Sequence, residues 1–336
     1  GYNQLSSYSS ANNPQAIALL NSLGYSSVGE FSTRYAEPIL AVDALLGVKY
    51  AIAEHAPSGY AAMTEIADTA SAVYENPYAL SVGVMASNDI QNCTLKGENP
   101  FEKQNDLYSK ILGREVMLYT KIEAKNTEDD ENLRQWNATV PSGSIGYLYI
   151  NKDATAGSYW PVTLTIDQRT IENEAWRFDN NIRQIADASD SPSQHTVSIG
   201  VVEGYTDMPQ DNEPVFYALD LDVFEQIINE LKTSEFVPTV FEDGRIEGEY
   251  TAKDDGNLLL SVPYDEGWNV TVNGTATELT PAADKGLSSL NMQKGANRIV
   301  MTYKTPGALA GLAVSLATAA ALVAAGLYAR HKKSRR

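Results

Sequence analysis

The chain has 336 residues, 43% hydrophobic and 20% charged, a balance that supports packed cores and argues against disorder. Its formal charge is −18, or about −23 once the five Lys and Arg of residues 330–336 are set aside, which excludes nucleic acid as a partner. A single cysteine, Cys93, excludes an intramolecular disulfide and argues against a cysteine-rich ectodomain.

In chain order, Asn13-Pro14 followed by QAIALLNSLG predicts a capped helix, with Pro in its first turn and Gly24 past its end. Residues 41–54, AVDALLGVKYAIAE, read as a short helical turn leading into a buried strand, and ENPYALSVGVMAS supplies another strand. NPFEKQNDLYSKILG predicts a helix stopped by Gly113. Beyond about residue 115 the period becomes that of strands. EVMLYTKIEAK alternates, NTEDDENLRQWNATVPSG reads as a polar connection, and SIGYLYINK, YWPVTLTID and TVSIGVVEGY each alternate. LDVFEQIINELK interrupts as a helix with Val223, Phe224, Ile227, Ile228 and Leu231 on one face. Strands resume through GRIEGEYTA, NLLLSVPY, GWNVTVNGTATEL and ANRIVMTYK, and Asn273-Gly274 predicts a type I′ hairpin. The expected fold is α+β, mainly β. A mixed α/β region (1–120) precedes an antiparallel, jelly-roll-like β-sandwich with one inserted helix (121–305) and a C-terminal transmembrane helix (306–329).

Gly307–Ala329 is free of charge, and its 23 residues reach about 34 Å at 1.5 Å per residue, enough for a hydrocarbon core of about 30 Å. RHKKSRR follows, and a basic cluster abutting a span is retained in the cytoplasm, so the preceding residues are expected outside, at a bacterial cell membrane. The start, GYNQLSSYSS, lacks an initiator Met and an export signal, so the expectation is a portion of a longer parent. The span is rich in Ala and Gly, with Gly307 and Gly311 in a GxxxG, which favours a helix packed within a multi-pass bundle over a solitary anchor.

Several segments carry a family likeness: YSS at Tyr8–Ser10, LLNSLGY, DALLGVKYAI at Asp43–Ile52, YENPYAL, NPFEKQN, FYALDLDVFEQIINEL and VPYDEGWNVTVNG. With KGANRIVMTYKTPG ahead of the span, they resemble the YfhO family of bacterial membrane proteins over nearly the whole chain. The resemblance implies a multi-pass glycosyltransferase of the GT-C type, using a lipid-linked sugar to modify lipoteichoic-acid-like envelope polymers. The catalytic acid of such enzymes is expected in an early outward loop that this sequence does not contain, so no catalytic residue is assigned.

Candidate acceptor- or sugar-binding residues are Tyr8, Tyr35, Asp43, Lys49, Tyr264 and Trp268. Tyr8 and Tyr35 could stack on sugar rings, Asp43 and Lys49 could form a polar pair lining an acceptor groove, and Tyr264 with Trp268 could make a carbohydrate platform. Each has a plainer structural reading as a core, turn or bilayer-interface residue, and for the last two pairs that reading is favoured. Asp220-Leu221-Asp222 is a D-x-D, but its place ahead of a helix favours capping over metal binding. His55, His195 and His331 are dispersed, and HExxH, CxxC, P-loop and GxSxG patterns are absent, so no metal or cofactor is assigned to this part and divalent-metal dependence stays open. The expected partners are the parent's transmembrane bundle, the lipid bilayer, and an envelope polymer or lipid-linked sugar. The rival reading is a membrane-anchored, non-enzymatic carbohydrate-binding or adhesion module; a sortase-anchored form of it lacks its LPxTG signal, since Tyr303-Lys304-Thr305-Pro306-Gly307 stands there instead. A ligand-free role in assembling the parent's bundle is the third reading.

Overall fold

A computed structural model of the chain describes residues 5, 7–9, 12–35, 37–67, 69–150, 162–171, 181–201 and 213–334. The chain opens with β1 (Ser7–Tyr8), α1 (Pro14–Ser22), β2 (Ser26–Val28), β3 (Ser32–Arg34), α2 (Leu40–Leu45), β4 (Tyr50–Ala53), β5 (Ala61–Glu65), β6 (Ala72–Glu75), β7 (Gly83–Ala86) and α3 (Pro100–Leu112). Strands then dominate: β8 (Tyr119–Lys121), β9 (Ala124–Asp129), β10 (Leu133–Val140), β11 (Ser144–Ile150), β12 (Val162–Ile166), β13 (Arg169–Ile171), β14 (Asn181–Ala186), β15 (Ser193–Val201) and β16 (Pro214–Asp220). After α4 (Leu221–Lys232) come β17 (Glu235–Phe236), β18 (Val240–Glu242), β19 (Arg245–Ala252), β20 (Gly256–Leu260), β21 (Trp268–Val272), β22 (Thr275–Thr277), β23 (Leu279–Ala282), β24 (Leu287–Met292), β25 (Gly295–Tyr303) and finally α5 (Ala308–Ser334). The architecture is mainly β, with antiparallel sheets and one C-terminal apolar helix, as the sequence predicts.

The helix ends follow from their caps. Asn13 and Asn99 each accept two backbone N–H groups ahead of a Pro that opens α1 and α3, and Gly113 closes α3 in the left-handed region at φ 64°. Asp220 caps α4 by accepting the Val223 N–H at 3.0 Å, and Asp222 lies in the first turn, so the D-x-D is a helix start. Helix α4 buries Phe224, Ile227, Ile228 and Leu231, four of the five positions expected on its apolar face.

Two compact units emerge. The first comprises Gly1–Val237, Tyr250–Tyr264 and Leu279–Asn297. Within it, sheet β13-β12-β15-β10-β9 faces sheet β14-β11-β16-β8 across a core that includes Trp136, Leu148, Leu164, Val197 and Phe216. The period of two then sends Ile145, Tyr147 and Tyr149 of β11 to the opposite face, where they join Phe101, Leu107, Tyr108 and the α2 residues in a second core. That is why all seven β11 residues are buried. The sheet β17-β7-β20-β24-β23 contributes Val84, Leu259 and Leu287 to this second core. The second unit comprises Pro238–Glu249, Asp265–Glu278 and Arg298–Arg336, and holds most of the sheet β18-β19-β25-β21-β22 together with α5. Its Asn273 and Gly274 take φ values of 54° and 78° between β21 and β22, the positive pair a type I′ turn requires.

Two expectations are corrected. The segment read as a polar connection after residue 125 is a hairpin of β9 with β10, whose pairing runs from Arg134↔Asp129 to Ala138↔Ala124. Strand β4, expected to be buried, exposes Tyr50 and Ile52 and buries only Ala51, because it belongs to the small sheet β4-β6-β5. The start of YWPVTLTID lies outside the described residues.

Helix α2 ends in a Schellman motif: Gly47 N–H donates to Ala44 O at 3.2 Å and Val48 N–H to Asp43 O at 2.8 Å. Gly47 sits at φ 71°, and a Cβ there would meet the Leu80 carbonyl oxygen at 2.8 Å. Gly47→Ala is therefore expected to cost about 2 kcal/mol or more through strain and the clash. Chemical denaturation checks this, and an unchanged midpoint would contradict the role given to Gly47.

Candidate functional site

Two of the segments with a family likeness, LLNSLGY and DALLGVKYAI, meet at the carboxylate of Asp43, which is fully buried in α2. It accepts hydrogen bonds from the hydroxyls of Tyr25, of Tyr35 at 2.6 Å and of Tyr60 at 2.6 Å, and from the Ile39 backbone N–H at 3.1 Å. Ile39 is the N-cap of α2, so Asp43 also does the work of a reciprocal cap, satisfying the first orphan donor of its own helix. Tyr25 donates to Oδ1, while Tyr35, Tyr60 and the Ile39 N–H share Oδ2.

Neighbouring elements hold each tyrosine in place. The rings of Tyr25 and Tyr35 stack at 5.6 Å. The loop after Tyr35 is tied to β14 through Glu37, which accepts the Gln184 N–H at 3.1 Å and lies 3.6 Å from Arg183. The loop before Tyr60 is held through Ser58, which bonds Gln184 and Asp187. Gly59, at φ 80°, lets that loop approach α2, since a Cβ would meet Leu40 Cδ2 at 2.6 Å. From the other side, Tyr108 of α3 donates to Ala41 O at 2.7 Å and Gln104 to Leu23 O at 2.9 Å. The YENPYAL turn docks on the α2 exit: Asn76 binds Val48 O and Lys49 O, and Leu80 N–H binds Ala44 O.

Burial pushes the Asp43 carboxyl up from 3.8 to about 6, against the opposing effect of the four hydrogen bonds. Burial, with the Asp43 charge beside them, also drives Tyr25, Tyr35 and Tyr60 upward, so the three hydroxyls stay protonated donors. Among the described residues no Lys or Arg forms an ion pair with Asp43.

The other predicted site residues lie apart from this cluster. Lys49 is exposed, 3.6 Å from Glu75 and 5.4 Å from the centre of the Tyr50 ring, so Asp43 and Lys49 do not form a pair. Tyr35 was expected to stack on sugar; its hydroxyl instead serves Asp43. Tyr264 is half-buried, and its carbonyl accepts the Asn13 side-chain amide at 2.8 Å. Trp268 packs edge-on against Tyr303 at 5.3 Å. The Tyr8 backbone pairs with Ser32, and its ring lies outside the described residues. Tyr25 and Tyr60 were missed; Tyr25 stands inside LLNSLGY, where its family likeness was the available signal.

An open groove of about 830 Å³ lies along β9, β10 and β15, lined by the polar residues Glu123, Lys125, Thr127, Asn137, Thr139 and Gln194 together with Ile122 and Ala124. Thr139 pairs with Gln194 and Asn137 with Thr196 across the ladder, and Thr196 Oγ1 lies 3.0 Å from Asn137 Oδ1. The lining offers amide and hydroxyl groups at near-regular strand spacing, chemistry suited to a polyhydroxylated chain. Among the described residues no group of three or more His, Cys, Asp or Glu is placed to hold a metal.

Because the folded-state pKa of Asp43 is raised, its contribution to stability is full below about pH 3.8 and is lost as pH rises to about 6, by about 3 kcal/mol in all. Subtracting the stability of Asp43→Asn from that of the wild type between pH 4 and 7 should show this decline. Tyr60→Phe should cost about 1.5–3 kcal/mol by removing a bond to a buried charge, and should move the decline to higher pH. A difference that rises with pH would contradict the assignment.

A family profile described as "Bacterial membrane protein YfhO" matches residues 1–315. The chain is also 25% identical over 142 residues to "Uncharacterized protein YfhO" of Bacillus subtilis (strain 168), an alignment covering 42% of this chain and 16% of that relative. The chain thus spans less than a fifth of the length of the curated relative it matches. Helix α5 carries the one stretch among the described residues long and apolar enough to cross a membrane, Ala308–His331 at mean hydropathy 2.1, with none of it buried. Matched from its first residue into that helix, the chain belongs to the YfhO family of bacterial membrane proteins.

Proposed function

We propose that this chain is the extracytoplasmic part of a multi-pass membrane glycosyltransferase, and that it receives and orients an envelope polymer for glycosylation from a lipid-linked sugar. The observation that carries the reading is the family match over residues 1–315. The basic residues of the sequence RHKKSRR, which follows the uncharged stretch, support an outward position for the folded units. The polar groove on β9, β10 and β15 supplies the acceptor contact. Asn137, Thr139 and Gln194 hydrogen-bond hydroxyls along the polymer, and Lys125 meets phosphate or carboxylate groups on it. Chemistry itself is assigned to no residue of this chain; the Asp43 cluster holds the fold beneath the acceptor-binding surface.

The test is made in the source cell with the whole protein. The triple variant Asn137→Ala, Thr139→Ala, Gln194→Ala is expected to reach the membrane at the wild-type level and to lower polymer glycosylation about tenfold, the equivalent of about 1.4 kcal/mol of lost binding. Unchanged glycosylation would remove the groove from the account. If deleting the whole protein leaves glycosylation intact while the folded units bind the polymer, the anchored binding module takes its place.

A further inference from the structure

In the second unit, one end of the sheet β18-β19-β25-β21-β22 carries three aromatic residues. Trp268 opens β21 and pairs in register with Tyr303, the last residue of β25, and their rings meet edge-on at 5.3 Å. Phe241 lies in β18 opposite Ile246, one residue from the strand end that turns through Gly244. Ile246, Val270 and Met301 are buried, so the two-residue period places Phe241, Trp268 and Tyr303 on that same face. Phe241 is 50% exposed and Tyr303 36%, while Trp268 is half-buried.

The membrane helix begins close to this rim. Residues 304–307 alone separate β25 from α5, and five Cα steps reach at most about 17 Å. The reach is shortened by the turn in which Ala308 N–H bonds Thr305 O at 3.2 Å. Tyr303 N–H binds Gly244 O at 2.8 Å and Lys304 N–H binds Gly267 O at 2.9 Å, so the turn of the β18–β19 hairpin and the segment that enters β21 are both fastened to the start of the linker. The 24 residues Ala308–His331 extend about 36 Å, longer than a core of about 30 Å, so the helix begins among the headgroups.

We infer that Phe241, Trp268 and Tyr303 form an interfacial anchor that seats this end of the sheet in the headgroup layer around α5. The occupant is the neutral or zwitterionic lipid surface. Glu242, Asp243, Asp265 and Glu266 outnumber Arg245 and Lys304 in the same loops, and Arg245 is already paired with Glu247 at 2.6 Å. Amphipathic rings favour this depth because one edge is apolar and the other polar. The inference rests on α5 crossing the bilayer, not on the transferase reading.

The test uses the full chain in phosphatidylcholine nanodiscs, with and without bromine on the upper acyl chain, and reads tryptophan emission. Brominated lipid is expected to quench part of the emission of the four tryptophans, and Trp268→Phe to abolish the quenched part. Phe241→Ser, at an exposed position, should keep the fold by circular dichroism and reduce the quenching. Emission indifferent to bromination, or equal quenching in wild type and Trp268→Phe, would overturn the anchor.

Discussion

The larger core encloses one carboxylate kept out of water, and four stretches of chain are arranged around it. An isolated ionised carboxylate cannot be buried at tolerable cost, so Asp43 persists only because three hydroxyls and a backbone N–H converge on it. Each donor comes from a different stretch of chain: the exit of α1, the loops ending at Tyr35 and Tyr60, and the start of α2. The constraint therefore fixes where those stretches meet. It also explains why the loop after Tyr35 and the loop before Tyr60 are both tied to β14, since a mobile donor would leave the charge unsatisfied.

The same arithmetic separates structure from ligand binding. A carboxylate that is fully buried and already accepts four donors is closed to a sugar hydroxyl by its burial, whatever its family likeness. Such a node ties the fold to one arrangement: ionised Asp43 accepts from all four donors, and neutral Asp43, which burial favours, can donate its own proton to a tyrosine oxygen. The recognition proposed above falls instead on the outer face of β10 and β15, which carries the polar side chains of the groove over a core supplied by Trp136, Val197 and their neighbours.

The legible parts of the sequence were those with a local physical cause. The Asn-Pro starts of α1 and α3, the glycine stop of α3, the amphipathic face of α4 and the Asn273-Gly274 turn all follow from interactions within a few residues. The long apolar helix α5 was legible from composition alone. Strands β9 and β4 were misread because nearly all of β9 is exposed and β4 buries a single alanine, so neither alternation reports a core. The Asp43 cluster was half-visible: Asp43 and Tyr35 stood out, but nothing eight to eighteen residues away in sequence says that their oxygens will meet. The groove was invisible, because its wall joins residues from 122 to 194 through sheet pairing alone.

The most direct measurement is a carbon-13 NMR titration of the Asp43 side-chain carboxyl in the full chain. The account predicts an apparent pKa near 6, moving upward when Tyr60 is replaced by Phe. An ordinary value near 4, insensitive to that replacement, would mean a hydrated carboxylate open to ligand, and would return Asp43 to the binding surface.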